Sequence, residues 1–159
     1  MRSLLFAIFS LVIFVSAPAA QAPDTAQKPK PAFDAELAKR LGADKNGMRS
    51  YVLAILKTGP AKITDKDERA KLFKGHFGMI NRLAEEGKLS VAGPLNDPAG
   101  EFRGIYVFNV ETVEEAQKLT ETDPSIKAGI FRVEFFKWFA SAALMDVINI
   151  HNRIQQPKP

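Results

Sequence analysis

Not one of the 159 residues is a cysteine, so no disulfide can brace this fold and no thiolate can hold a metal. Histidine is almost as scarce: His76 and His151 are the only two, too sparse a donor set for zinc, and no metal site is expected. There is no P-loop, no G-x-G-x-x-G and no G-x-S-x-G, which argues against nucleotide binding and serine hydrolysis, and no cofactor is expected. Nor is there a block of five or six like charges. The net charge of +4 and the pI of 9.4 come from interspersed Lys, Glu and Asp, a weak hint of anionic partners and no more. The uncharged apolar run from Leu4 to Ala17 is shorter than the roughly 20 residues a membrane-spanning helix needs.

What is present starts with an export signal. Met1-Arg2-Ser3 supplies a short positive region, Leu4 to Ala17 the apolar stretch, and Ala17-Pro18-Ala19 or Ala20-Gln21-Ala22 a small-x-small cleavage pattern. The expectation is a cleaved signal peptide over 1–22 and a periplasmic or secreted protein. With no cysteine after the run there is no lipoprotein anchor, and no stable membrane anchor is expected after cleavage. From Pro23 to Pro31 the segment is nearly devoid of hydrophobic residues and carries three prolines, the composition of a flexible tether. A linker with a possible short helix over Phe33 to Leu41 thus fills 23–48, and the folded domain is expected to start near Arg49.

With 46% hydrophobic and 25% charged residues, the remainder has room for one core. Tyr51 to Lys57 is a nearly continuous apolar run closed by Thr58-Gly59-Pro60, the pattern of a buried strand. Thr64, with Asp67 three positions on, offers a helix cap, and the helix should run from Asp65 to Glu86 before Gly87 ends it. Within it Leu72, His76, Met79/Ile80 and Leu83 share one face, so His76 lies on the apolar stripe. Lys88 to Ala92 and Arg103 to Val110 read as two more strands. A second helix opens at Thr112 and breaks near Asp123-Pro124, since the residue before proline avoids the helical region. Ile130 to Phe139 is the last and most aromatic strand. The order β-α-β-β-α-β is that of an α+β, ferredoxin-like fold. Both alternate sets of the last strand, Phe131/Val133/Phe135/Phe139 and Phe136/Trp138, are apolar, so a homodimer pairing sheet to sheet is expected. The C-terminal tail, 140–159, has Leu144, Val147, Ile148 and His151 in helical phase.

Tyr51 to Leu56, His76, Glu85-Glu86-Gly87-Lys88-Leu89, Ala92-Gly93-Pro94 and the stretch from Thr122 to Phe131 together resemble the YCII-related (YciI-like) domain family over about 49–139. The resemblance implies a ferredoxin-like domain pairing into a dimeric α/β barrel. It also implies a cavity between helix and sheet in which a histidine and an aspartate form an acid/base pair. Carried over, these are His76 and Asp123, with Arg69, Gly93 and Pro94 on further motif positions as substrate-binding candidates. Some relatives are similar to muconolactone isomerases and ring-modifying dehydrochlorinases. Ser125-Ile126 stands where an aromatic commonly follows Asp-Pro, a departure that bears on the substrate pocket.

The chemistry can also be argued from the residues. A histidine bonded to a carboxylate is held in one tautomer and suits proton transfer to or from an activated carbon or phenol without a cofactor. Alternatively His76 donates to a backbone carbonyl and packs among Phe77 and Met79. Arg69 and Arg103 could hold an anionic substrate or be solvated; Tyr106 and Trp138 could line a cavity or pack the sheet. Gly75 and Gly78, in mid-helix, suit close approach to the sheet or a bend. Arg103-Gly104-Ile105-Tyr106-Val107-Phe108 starts like the third-strand motif of RNA-recognition domains, which share this strand order. Ile105 and Val107 replace the aromatics that stack on bases, so no nucleic-acid partner is expected. Two readings remain: an isomerase- or lyase-like enzyme on a small molecule, and a non-catalytic module binding a small ligand.

Overall fold

Eleven residues, Met48–Thr58, form β1, and their apolar run pairs on both sides. β1 lies between β3 (Phe102–Phe108) and β4 (Phe131–Ser141), and β2 (Leu89–Pro94) pairs with β3, giving the order β2-β3-β1-β4 with every pairing antiparallel. The computed structural model describes residues 31–156; the leader read at 1–22, and all of the tether but its last residue, lie outside them. The chain is thus a mixed α+β protein with a four-stranded antiparallel sheet and helices, consistent with the ferredoxin-like order read from the sequence.

The long helix α2 (Lys66–Glu85) is capped by Asp65, whose side chain accepts from the Glu68 N–H, rather than by Thr64. An aspartate one residue closer to the first turn adds its charge to the helix dipole, which a hydroxyl cannot. Gly87 follows at φ 68° and lets the Lys88 N–H turn back to the Leu83 carbonyl at 2.9 Å, the glycine-ended cap the sequence suggests. α3 (Val113–Thr120) starts in a capping box between Thr112 and Glu115. The four-residue α4 (Pro124–Lys127) is a separate piece, capped by Asp123 with Pro124 in its first turn.

α2, α3 and α4 lie on one face of the sheet. Val52, Ala54 and Leu56 of β1, Tyr106 and Phe108 of β3, and Phe131 of β4 meet Met79 and Leu83 of α2 and Ala116 of α3 in the main core. Leu83 is 0% exposed, and burying such a side chain contributes about 1.5–3 kcal/mol. Among the described residues, the opposite face is covered at one end only. A 3-10 turn over Ala142–Asp146 brings Leu144 and Met145 onto Tyr51, Val107 and Ala140. Beyond it, Phe136 remains 47% and Trp138 38% exposed. Phe139, grouped by alternation with the helix-facing residues, is 56% exposed, because it pairs with Ser50 near the start of β1.

The compact body starts at Phe33, not near Arg49. α1 (Ala35–Leu41) is capped by Asp34 and buries Leu41. Arg49 donates to the Leu41 carbonyl at 2.8 Å, and Arg40 pairs with Asp146 at 2.9 Å. The tail continues as α5 (Val147–Ile154), where His151 is exposed. β3 ends at Phe108, and the next residue is Asn109, whose N–H still donates to the Lys88 carbonyl at 2.9 Å. Its side chain accepts from Arg49 and donates to the Gly87 carbonyl at 3.0 Å.

Candidate active site

The apolar stripe of α2 points His76 at the sheet, and the break between α3 and α4 points Asp123 at α2. Both are consequences of local sequence. His76 shares its helical face with Met79 and Leu83 and is buried with them. Asp123 caps α4, so its carboxylate turns back over the first turn and accepts from the Ser125 N–H at 2.8 Å. The two side chains meet: His76 Nδ1 lies 2.7 Å from Asp123 Oδ2, with the carboxylate wholly buried.

Four donors converge on this carboxylate. Oδ1 takes the Ser125 backbone N–H and, at 2.7 Å, the Ser125 hydroxyl. Oδ2 takes His76 and, at a long 3.4 Å, the Tyr106 hydroxyl. Burial alone drives a carboxyl toward its neutral form, but the hydrogen bonds from His76 and Ser125 outweigh it and hold Asp123 below the usual carboxylate range. An ionised carboxylate only accepts, so the proton between the pair sits on Nδ1 and the lone pair of the imidazole is on Nε2. Tyr106 is displaced the other way. Burial, and then the charge of Asp123, push its hydroxyl far above the ordinary tyrosine value, so it stays a neutral donor.

Nε2 has no hydrogen-bond partner among the described residues, where the one buried side-chain nitrogen or oxygen sealed off without a partner is Nε of Arg49. His76 instead lines a cavity of about 300 Å³ between α2 and the sheet, the size of a small-ligand cleft. Phe73, Phe77 and Phe131 surround the imidazole at centroid distances of 5.8, 5.3 and 5.5 Å. Gly93, Pro94 and Gly104 form part of the wall; a β-carbon on Gly104 would stand 2.8 Å from the Gly93 carbonyl oxygen, so the strands at this wall can close only on glycine. Among the described residues, Arg103 lines the cavity and no acidic residue does. Its wall is apolar and aromatic, with a single basic nitrogen presented to it, which suits proton abstraction from a weakly acidic group.

The other residues singled out in the sequence divide between this site and the surface. Tyr106 lines the cavity, but its hydroxyl reaches the dyad at 3.3 Å from His76 Nδ1. Arg69 is exposed in the first turns of α2, its guanidinium 4.9 Å above the Phe73 ring, one side chain removed from the cavity. Trp138 lies on the other face of the sheet, 6.2 Å from Tyr51. A larger cavity of about 690 Å³ lies between α2, β2 and α5 and includes His151. Its titratable groups, Glu85 and His151, are exposed, so the smaller cavity with the buried pair is the better site. Among the described residues no group of three His, Cys, Asp or Glu could hold a metal. Sequence reasoning missed Ser125, whose signal was present: an Asp-x-Ser pattern at a helix start places both the N–H and the hydroxyl of the serine within reach of the aspartate.

The model of the YCII-related domain matches residues 50–139. The uncharacterized protein YjpA of Bacillus subtilis is 31% identical over 64 residues, covering 40% of this chain and 72% of that protein. Protein YciI of Escherichia coli O6:H1 and of Shigella flexneri is 32% identical over 77 residues, covering 44% of this chain and 79% of each relative. Among solved structures, a 5-chloro-2-hydroxyhydroquinone dehydrochlorinase from Burkholderia phenoliruptrix, in complex with 2,5-dihydroxybenzoquinone, is similar at 20% identity and a TM-score of 0.41, covering 55% of this chain and 92% of that one.

Proposed function

Since this chain belongs to the YCII-related domain family, we propose that it is a small-molecule enzyme whose His76, held by Asp123, moves a proton on a small cyclic substrate without a cofactor. The observation that carries this reading is the buried 2.7 Å contact of Nδ1 with the carboxylate, with Nε2 left for the cavity. Nε2 takes a proton from an activated carbon or hydroxyl, and Asp123 stabilises the imidazolium that forms. Returning the proton to another atom of the substrate is an isomerisation. Delivering it to a departing group is an elimination. The phenyl rings of Phe73, Phe77 and Phe131 offer faces for a flat ring, and Arg103 a charge for an anionic substituent.

Export to the periplasm or exterior rests on the leader read at 1–22, and N-terminal sequencing of the mature protein tests it. Pairing of two copies rests on the sheet face that carries Phe136 and Trp138, too apolar to suit permanent contact with water.

The catalytic reading is tested without naming a substrate. Small cyclic ketones, lactones and phenols are incubated with the protein in deuterium oxide, and incorporation of deuterium at carbon is followed by mass. Native protein should catalyse exchange into at least one compound, and His76→Gln and Asp123→Asn should lose it. Binding without exchange above the His76→Gln background would make the cavity a ligand-binding site and sink the enzyme.

A further inference from the structure

Gly75 precedes His76 on α2, and Pro124 follows Asp123 at the start of α4, so each member of the dyad has its neighbour at the contact between the two helices. A β-carbon on Gly75 would stand 2.6 Å from Pro124 Cγ and 3.3 Å from its Cδ, well inside carbon van der Waals distance. The pyrrolidine ring is tied to the backbone at both ends and cannot swing aside as a longer side chain would. The sequence suggests a glycine for approach to the sheet or for a bend; the close neighbour is instead the proline of α4. Gly78, three residues along the same helix, has nothing among the described residues within 4 Å of its would-be β-carbon. Glycine is unfavourable inside a helix compared with alanine. Helix formation alone therefore disfavours glycine at both positions, and only at 75 does a neighbour require it.

We infer that Gly75 is a positioning residue: its missing side chain lets Pro124 seat against α2 and thereby sets the 2.7 Å separation of His76 Nδ1 and Asp123 Oδ2. The inference rests on the acid/base reading above, in which that separation orients the imidazole. The mechanical link is short. His76 is carried by α2, and Asp123 is joined directly to the proline that would be displaced. A side chain at 75 pushes α4 outward by several tenths of an ångström, and the carboxylate moves with it. The Nδ1 to Oδ2 bond then leaves its short, charge-assisted range, and the ring loses the partner that fixes its tautomer.

Three variants of the full chain separate this from a general helix effect: Gly75→Ala, Gly78→Ala, and Gly75→Ala combined with Pro124→Ala. The readouts are the low-field NMR resonance of the His76 Nδ1 proton and the deuterium exchange described above. Gly75→Ala should shift or lose the resonance and slow exchange by roughly 10- to 100-fold, the cost of a misplacement on this scale. Gly78→Ala should leave both as in the native protein, and removing the proline ring should restore the resonance. The inference is overturned if Gly75→Ala keeps the native resonance, if Gly78→Ala disturbs it equally, or if the double variant fails to recover it. Should the native protein exchange no compound, the acid/base reading falls while the resonance alone still decides the role of Gly75.

Discussion

Replacing Ser125 by alanine removes one oxygen from a site where nothing else need move, so its effect can be worked out closely. The hydroxyl donates to Asp123 Oδ1 at 2.7 Å and Ser125 is wholly buried. A hydrogen bond to a charged group contributes about 1.5–3 kcal/mol. The backbone N–H of residue 125 remains on Oδ1 in the variant, so a loss near the middle, about 2 kcal/mol, is expected. For a domain of this size that lowers Tm by roughly 6–10 °C. The loss must also depend on pH. Asp123 is held below its ordinary value in the folded protein and returns to it, near ~3.9, when the chain unfolds. Its contribution is therefore fully present above the unfolded value and fades as pH falls through the folded one. Ser125 supplies part of that depression, so the difference between native and variant should be complete at neutral pH. As the pH falls through the folded value it should shrink to that of a neutral hydrogen bond, about 1 kcal/mol or less. Urea unfolding across this range measures it. An equal difference at both ends would mean that the hydroxyl does not act on the carboxylate charge.

Other consequences are simpler. Leu83→Ala empties a fully buried position and should cost about 2–5 kcal/mol, read as a lower urea midpoint with an unchanged slope. Tyr106→Phe removes a hydroxyl that is 3.4 Å from the carboxylate, a weak bond, so deuterium exchange should fall by no more than about fivefold, far less than in Asp123→Asn; an equal loss would move Tyr106 to the centre of the chemistry. If copies pair through the open sheet face, Phe136→Ser with Trp138→Asp should halve the mass in sedimentation equilibrium without unfolding the protein. An unchanged mass would place any pairing elsewhere.

The strands and long helix were legible because their signals are local: the apolar run of β1, the acidic caps, and Gly87 after α2. Boundaries slipped where tertiary contacts decide them. Asn109 looks like strand but spends its side chain on Arg49 and Gly87, and α1 looks like part of a linker until Leu41 is buried. Phe139 keeps the alternation of β4 yet lies outside the helix-covered area, which a period of two cannot reveal. At the site, the helical face places His76, but a separation of 47 positions from Asp123 carries no spacing rule; family resemblance, not periodicity, points to the pairing. In the sequence Ser125 stands out only as a departure from the aromatic that commonly follows Asp-Pro. Its role emerges only when a capping geometry and a buried carboxylate coincide.

The contact of α1 with the 3-10 turn joins two stretches far apart in the chain. Arg40 and Asp146 are 106 positions apart, the Ala142 N–H donates to the Gly47 carbonyl at 2.9 Å, and the Tyr51 hydroxyl reaches the Ser141 carbonyl at 3.1 Å. Each end thus serves as the other's clasp, and closing so long a loop costs little more entropy than closing one half its length. Fraying, which ordinarily starts at chain ends, must here open both at once, so amide exchange at Ala43 and Ala142 should be slow together or fast together. Cutting the chain to residues 50–139 would remove both halves of the clasp and uncover Tyr51 and Val107, against which Leu144 and Met145 pack. A fragment that keeps the clasp must therefore include everything from Arg40 to Asp146.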